Sequence, residues 1–276
     1  MSHKKYRTET NCLNCGGEVT GKFCSSCGQE NIETHENFFH LVFHVIGDFF
    51  HFDSKFFRSF IPLFTKPGFL TEEYWAGRRQ HYIHPLRLFF FVTIVMVIIA
   101  NAYYRKYEQQ IMKERVVITR SSTPTVTEAD KKEMDRKKNK IIKGVQKTFS
   151  EISVYLKYIS FLLLPVYALG FKLLYRRSKR FYIDHLAYTL HLQSFAYIIA
   201  SLLLLGAIFI SPSIREWWPL ALVGFTVIYI LISLRHLYKQ SWIKTVVKSF
   251  LAMGYMFFIT VMFVSLLMIV NIVIDK

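Results

Sequence analysis

Outside residues 12–27 the sequence has no cysteine; the four it has are Cys12, Cys15, Cys24 and Cys27. A disulfide framework spread over a secreted domain is therefore excluded. Acids are also scarce: 19 Asp and Glu stand against 35 Lys and Arg, for a formal charge of +16. No apolar block carries an Asp, Glu or Arg at its middle. Ion-coupled transport usually places a carboxylate there, so that class is disfavoured, as it is by the lack of an inverted repeat. No Walker loop and no G-x-S-x-G elbow is present, which removes P-loop and α/β-hydrolase chemistry. The opening MSHKKYRTETNC is too polar for a cleavable signal peptide, so the first spanning helix is expected to be its own insertion signal.

What is abundant is apolar. Hydrophobic residues make up 52% of the chain and aromatics 17%, with a mean hydropathy of +0.26. They gather in blocks of about 20 residues, the length that crosses a bilayer. Five spans are expected, over 86–104, 153–174, 187–210, 217–234 and 250–274. Pro165 should kink the second, with Gly170 a turn later. Trp75, Trp217, Trp218 and Trp242 fall at or beyond the block ends, at headgroup depth.

The positive charge flanks these blocks, as topology signals do, so a membrane is favoured over nucleic acid as the partner. RRSKR at 176–180 and the basic run 235–248 belong on the cytoplasmic side, which places the N-terminus inside and the C-terminus outside. The same assignment puts the 105–152 loop outside. Its 13 Lys and Arg run against the rule, but it also holds seven acids, and long loops translocate with less regard to charge.

The cysteines are spaced C-x2-C-x8-C-x2-C. Two such turns aim four sulfurs at one centre, the closed tetrahedral set of a structural Zn2+ site, with no position open for water. Gly16 and Gly28, each just after a pair, admit the φ that brings amides to the thiolates. Two disulfides are the lesser alternative. A segment this short has no core, so metal binding is its folding energy, on the order of 10–16 kcal/mol. It reads as a small docking module whose loops carry Asn14, Lys22, Phe23 and Gln29.

Residues 37–64 hold ten Phe. At helical period the polar positions 37, 40, 44, 48 and 51 form one narrow stripe, as in a helix lying in the membrane interface. His40, His44, Asp48 and His51 share that face. Further along, Thr71 is expected to N-cap a short helix. Asp184, Tyr188 and His191 share one face of the third span, and His185 points elsewhere. Polar groups at that depth either tie helices together or form a site. A second metal cluster would draw on His40, His44, His81, His84, His185 and His191. Arg78, Arg79, Tyr82 and Arg87 would meet lipid headgroups, since guanidinium forks match phosphate. A polar path for transport would have only Asn101, Gln193, Ser201, Thr260 and Asn271 to line it.

Four features in order resemble a family of bacterial multi-pass membrane proteins defined by a domain of unknown function. They are C-x-N-C-G (12–16) with F-C-x-x-C-G-Q (23–29), the H-F-D-S-K-F stretch 51–56, the P-G-x-x-x-x-E-Y-x-x-G-R-R-x-x-Y-x-x-P block 67–85, and DHLAYTLHLQSF at 184–195. The resemblance implies fold and location and no activity. The expectation is thus an all-α integral membrane protein of the bacterial inner membrane. Residues 1–30 form a zinc ribbon, 31–85 the Phe-rich interfacial helix and basic pre-membrane segment, and 86–276 the spanning helices. The expected function is non-enzymatic interaction or assembly, with the ribbon docking a cytoplasmic protein and the helices engaging membrane lipids or a membrane partner. The alternatives are a His-cluster membrane metalloenzyme and a lipid or small-molecule transporter.

Overall fold

A computed structural model describes residues 6–32, 55–121, 136, 161–210 and 217–274. Within them a small cysteine-bearing lobe is followed by seven α-helices: α1 (Lys55–Thr65), α2 (Phe69–Trp75), α3 (Pro85–Ser121), α4 (Phe161–Leu174), α5 (Tyr182–Phe209), α6 (Trp218–Tyr238) and α7 (Trp242–Ile274). No strand longer than an isolated bridge is present among the described residues.

Four segments are long and apolar enough to cross a membrane: Pro85–Lys106, Tyr182–Phe209, Trp218–Tyr238 and Trp242–Leu267. Of the expected span 153–174 only the 14-residue part α4 is described, too short on its own to cross. Two boundaries differ from the expectation. The first helix does not stop near 104 but runs to Ser121, because nothing in YRKYEQQIMKERVVITRS breaks a helix. The basic run 235–248 is not a loop. Lys239, with φ 49°, ends α6 in the left-handed conformation, and α7 starts three residues later at Trp242, so Lys244 and Lys248 are helical.

α5 is the centre of the body, meeting α3 on one side and α6 on the other. Phe195 is wholly buried there and stacks on Tyr229 of α6 at 3.6 Å, while Phe89 of α3 meets Tyr197 at 5.8 Å. α4 and α7 pack together through a Tyr167–Thr260 hydroxyl pair at 2.6 Å and a Tyr255 hydroxyl donating to the Val166 carbonyl at 2.8 Å. Gly170 makes room for this: a Cβ there would sit 2.2 Å from the Tyr255 ring. Phe250, Phe257, Phe258 and Val261 of α7 stay exposed, a surface that suits lipid rather than water. Where lipid tails are as apolar as the side chains, close packing and interhelical hydrogen bonds hold such helices together, each bond contributing about 0.6 kcal/mol on average.

α1 packs against α5, and α2 against α5 and α6. α1 buries Ser59 and Leu63, four apart, and exposes Phe57 and Ile61. The Ser59 hydroxyl donates to the Lys55 carbonyl and accepts the Ile83 amide, both at 2.8 Å, which ties α1 to the start of α3. The residues ahead of Lys55, including the expected polar stripe and His40, His44, Asp48 and His51, lie outside the described residues.

Thr71 is not a helix cap. Gly68, with φ 86°, precedes the first residue of α2, and Thr71 lies one turn inside with its side chain buried. A Cβ on Gly68 would stand 3.1 Å from the Ser233 carbonyl and 3.2 Å from Leu237 Cγ, so only glycine lets α2 sit this close to α6.

Candidate metal centre and adjoining cleft

The lobe at 6–32 is one turn used twice, twelve residues apart. Gly16 N–H donates to Cys12 O, and Gly28 N–H to Cys24 O, both at 2.9 Å. Cys12 N–H donates to Gly17 O at 2.8 Å, and Cys24 N–H to Gln29 O at 2.9 Å. The bridges Asn11–Glu18 and Phe23–Glu30 repeat at the same offset, as do Val19 N–H to Thr10 O and Asn31 N–H to Lys22 O. Gly16 and Gly28 take φ of 74° and 72°, as the cysteine spacing predicts.

The result brings all four sulfurs within 4.8 Å of one another. Cys12 and Cys27 Sγ are 3.6 Å apart, as are Cys15 and Cys24 Sγ, too far for disulfide bonds. A tetrahedron with metal–sulfur bonds of about 2.3 Å has edges of about 3.8 Å, so the donor set fits a tetrahedral thiolate metal site. Backbone amides prepare it: the N–H groups of Cys27 and then Ser26 bring the Cys24 thiol down to about 6. The Gly17 amide pulls Cys15 the same way. Contacts with Cys24, Cys27 and Cys12, together with burial, outweigh that pull and raise Cys15 to about 12. Four sulfurs this close cannot all ionise unless a cation sits among them.

The lobe is latched to the helical body. Gln29 Nε2 donates to the Gly77 carbonyl at 2.8 Å, and Gln29 Oε1 accepts the Arg79 amide at 3.2 Å. Gln80 lies against the second cysteine turn, its Nε2 3.5 Å from where a Gly28 Cβ would be, and its Oε1 accepts Lys55 Nζ at 3.4 Å. No local sequence rule announces Gln29 as the latch.

Behind this turn lies a narrow cleft between α2, residues 78–85 and α5. Arg78 closes on Glu73 through two hydrogen bonds, its Nε donating to Oε2 at 2.8 Å and its Nη2 to Oε1, and the Glu73 carboxylate raises the Arg78 pKa further. Arg79 lies over the Tyr74 ring at 4.5 Å, and the Tyr74 and His84 rings meet in a T-shaped pair at 5.6 Å. At the inner end His191, 5% exposed, hydrogen-bonds through Nδ1 to the Thr71 hydroxyl at 2.9 Å. Tyr82 lines the wall and meets Phe69 edge-on.

Among the described residues, the four cysteines are the group of three or more His, Cys, Asp or Glu side chains whose ligand atoms converge. The histidines are separately engaged. His185 Nδ1 meets the Tyr238 hydroxyl at 2.7 Å, on the α6 side, while His191 faces α2. Tyr188 pairs with Ser233 at 2.9 Å, and Asp184 Oδ2 accepts the Phe181 amide at 3.0 Å, capping its own helix. His84 and His191 share the cleft; His81 does not line it, and Arg87 lies outside its lining. Ser201 and Thr260 spend their hydroxyls on the carbonyls of Tyr197 and Met256 in their own helices. Three contacts lay beyond sequence reasoning. They are Trp75 Nε1 donating to the Asp184 carbonyl at 2.9 Å, the Tyr175–Tyr238 stack at 3.7 Å, and the His236–Glu72 pair at 2.6 Å. Each joins segments more than 60 residues apart, where periodicity is silent.

Residues 53–97 match a family model described as a protein of unknown function, DUF3667. That stretch contains α1, α2, the latch turn and the first part of α3. No curated protein and no solved structure matches the chain. Over residues 53–97, then, the chain is similar to a domain of unknown function, and it carries four helices able to cross a membrane and a four-cysteine cluster suited to a metal.

Proposed function

We propose that this is a non-enzymatic interaction or assembly protein of the bacterial inner membrane, with a structural Zn2+ held by Cys12, Cys15, Cys24 and Cys27. The observation that carries the reading is the closed four-sulfur set on a lobe latched to the helical body. A closed set leaves zinc no open position for substrate. The latch holds the lobe at a fixed place beside the bundle, as a docking element requires. The latch turn meets the lobe at Gln29, and Phe23 of the same lobe, next to Lys22 in sequence, is 59% exposed. Aromatic side chains, Phe among them, are enriched at protein–protein interfaces.

The exposed apolar sides of α1 and α7 favour contact with lipid. Taken with the five spans expected from the sequence, the basic turn 176–180 favours a cytoplasmic N-terminus and an outer C-terminus. The metalloenzyme and transporter readings gain no support from His185, His191, Ser201 and Thr260, which are bonded pairwise or to their own helices.

A photo-crosslinking residue at position 23 tests the docking role in cells. A discrete protein adduct that disappears in Cys24→Ser/Cys27→Ser is expected. Adducts that ignore the cysteine changes would end the proposal.

A further inference from the structure

Two basic turns meet at one end of the bundle. RRSKR, residues 176–180, joins α4 to α5, and Lys239 lies between α6 and α7. Tyr175, just past α4, stacks on Tyr238, the last residue of α6, at 3.7 Å. Lys248 of α7 brings its Nζ to 4.3 Å from the centre of the same Tyr175 ring. The charges that act on Lys248 are Arg177 and Lys244, both of its own sign. Among the described residues no carboxylate pairs with any of the three. Asp184, the acid closest to the first turn in sequence, spends Oδ2 on the Phe181 amide. Three like charges held together without a counter-charge repel one another, the more so because Lys248 is half-buried. α7 has no acid in its first turn, so the positive end of its dipole adds to their field. The Tyr175 hydroxyl, on a side chain only 2% exposed, has no hydrogen-bond partner, which leaves a donor on the ring that Lys248 covers. The guanidiniums of Arg78 and Arg79, by contrast, are engaged with Glu73 and Tyr74.

Position selects the kind of anion. Lys248 lies six residues past Trp242, where a membrane-crossing segment starts, about 9 Å along the helix. A lysine at that depth lays its stem along apolar surface and turns its ammonium to the interface. From there α4 and α7 run on as an antiparallel seam, Gly170 against Tyr255 and Tyr167 against Thr260. The same stretches of helix expose Leu169 and Leu173 on α4 and Val247 and Leu251 on α7. Cations at the boundary with exposed apolar helix beyond them complement an anionic headgroup that carries acyl chains.

We infer that the α4–α7 seam holds an anionic phospholipid, its phosphate among Arg177, Lys244 and Lys248 and its acyl chains along α4 and α7. The inference rests on the membrane reading above.

The test uses the full chain in a phosphate-free non-ionic detergent, titrated calorimetrically with dioctanoyl phosphatidylglycerol. Saturable binding is expected, weakened about tenfold in Lys248→Gln and about fivefold in Arg177→Gln. Lys248→Arg, which keeps a cation that matches phosphate, should stay within about twofold. Arg177 is exposed and makes no hydrogen bond or ion pair, so a loss in its variant does not come from misfolding. Lys239→Gln removes the same charge from the neighbouring turn and should change affinity less than about twofold. Equal losses in all three Gln variants would reduce the effect to diffuse surface charge and overturn the site. So would equal affinity for dioctanoyl phosphatidylcholine, whose headgroup has no net charge. Inorganic phosphate bound as tightly as the lipid would make the occupant a soluble anion and overturn the inference as well. Alkaline extraction of native membranes tests the membrane reading separately. A chain that stays in the pellet while its lipid binding ignores Arg177 and Lys248 fails here alone, and a chain released from the pellet removes the reading beneath it.

Discussion

Gln29 and Gly77 join the two halves of the molecule: the side-chain amide of the one donates to the carbonyl of the other at 2.8 Å, and its oxygen accepts the amide two residues on, at Arg79. Gln29 follows Gly28 in the second cysteine turn, so the metal loop and the cleft are separated by a single side chain.

Gln29→Ala should therefore loosen the latch without emptying the metal site. Two hydrogen bonds at about 1 kcal/mol each are lost, so local opening of residues 77–80 becomes roughly tenfold to thirtyfold easier. Hydrogen exchange should show faster amides at 77–80 while zinc stoichiometry stays unchanged. Unaltered exchange at Arg79 would show that the contact does not hold the turn.

Chelating the metal, or changing Cys24 to Ser, should unfold the lobe and spare the bundle, since the lobe's own core is little more than Cys12, Val19 and Cys24. Limited proteolysis is expected to cut within 6–32, with helical circular dichroism nearly constant. A collapse of helicity would mean that the bundle depends on the metal.

Thr71 and His191 form the buried polar link between α2 and α5. Thr71→Val leaves a buried imidazole nitrogen without its partner and should cost about 1–3 kcal/mol. Adding His191→Leu should cost less than the sum of the single changes, because both polar groups then leave together. Thermal unfolding in detergent reads both, and strict additivity would contradict the pairing.

Gly68→Ala should destabilise by about 1–3 kcal/mol, through the positive φ and the 3.1 Å approach to the Ser233 carbonyl. A neutral effect in the same melt would mean that α2 does not pack against α6 as closely as described.

The metal lobe was legible because its information is local: spacing and two glycines define each turn. The four long spans were legible for a similar reason, as length and hydropathy need no partner. Thr71 was misread because a threonine ahead of two glutamates looks like a cap, whereas Gly68 starts the helix a turn earlier to clear Ser233. The basic residues of 239–248 looked like a loop because charge was weighed above helix propensity, and one left-handed Lys239 suffices for the reversal. His185 and His191 were suspect as ligands because their depth is visible in sequence, but Tyr238 and Thr71, their partners, lie 53 and 120 residues away.

Metal analysis of the full chain purified in detergent tests the central claim most directly. One zinc per chain, lost when Cys12, Cys15, Cys24 and Cys27 are all changed to Ser, is the predicted result. Zinc that survives those four changes, or a wild-type chain purified without metal and with its cysteines paired as disulfides, would contradict it.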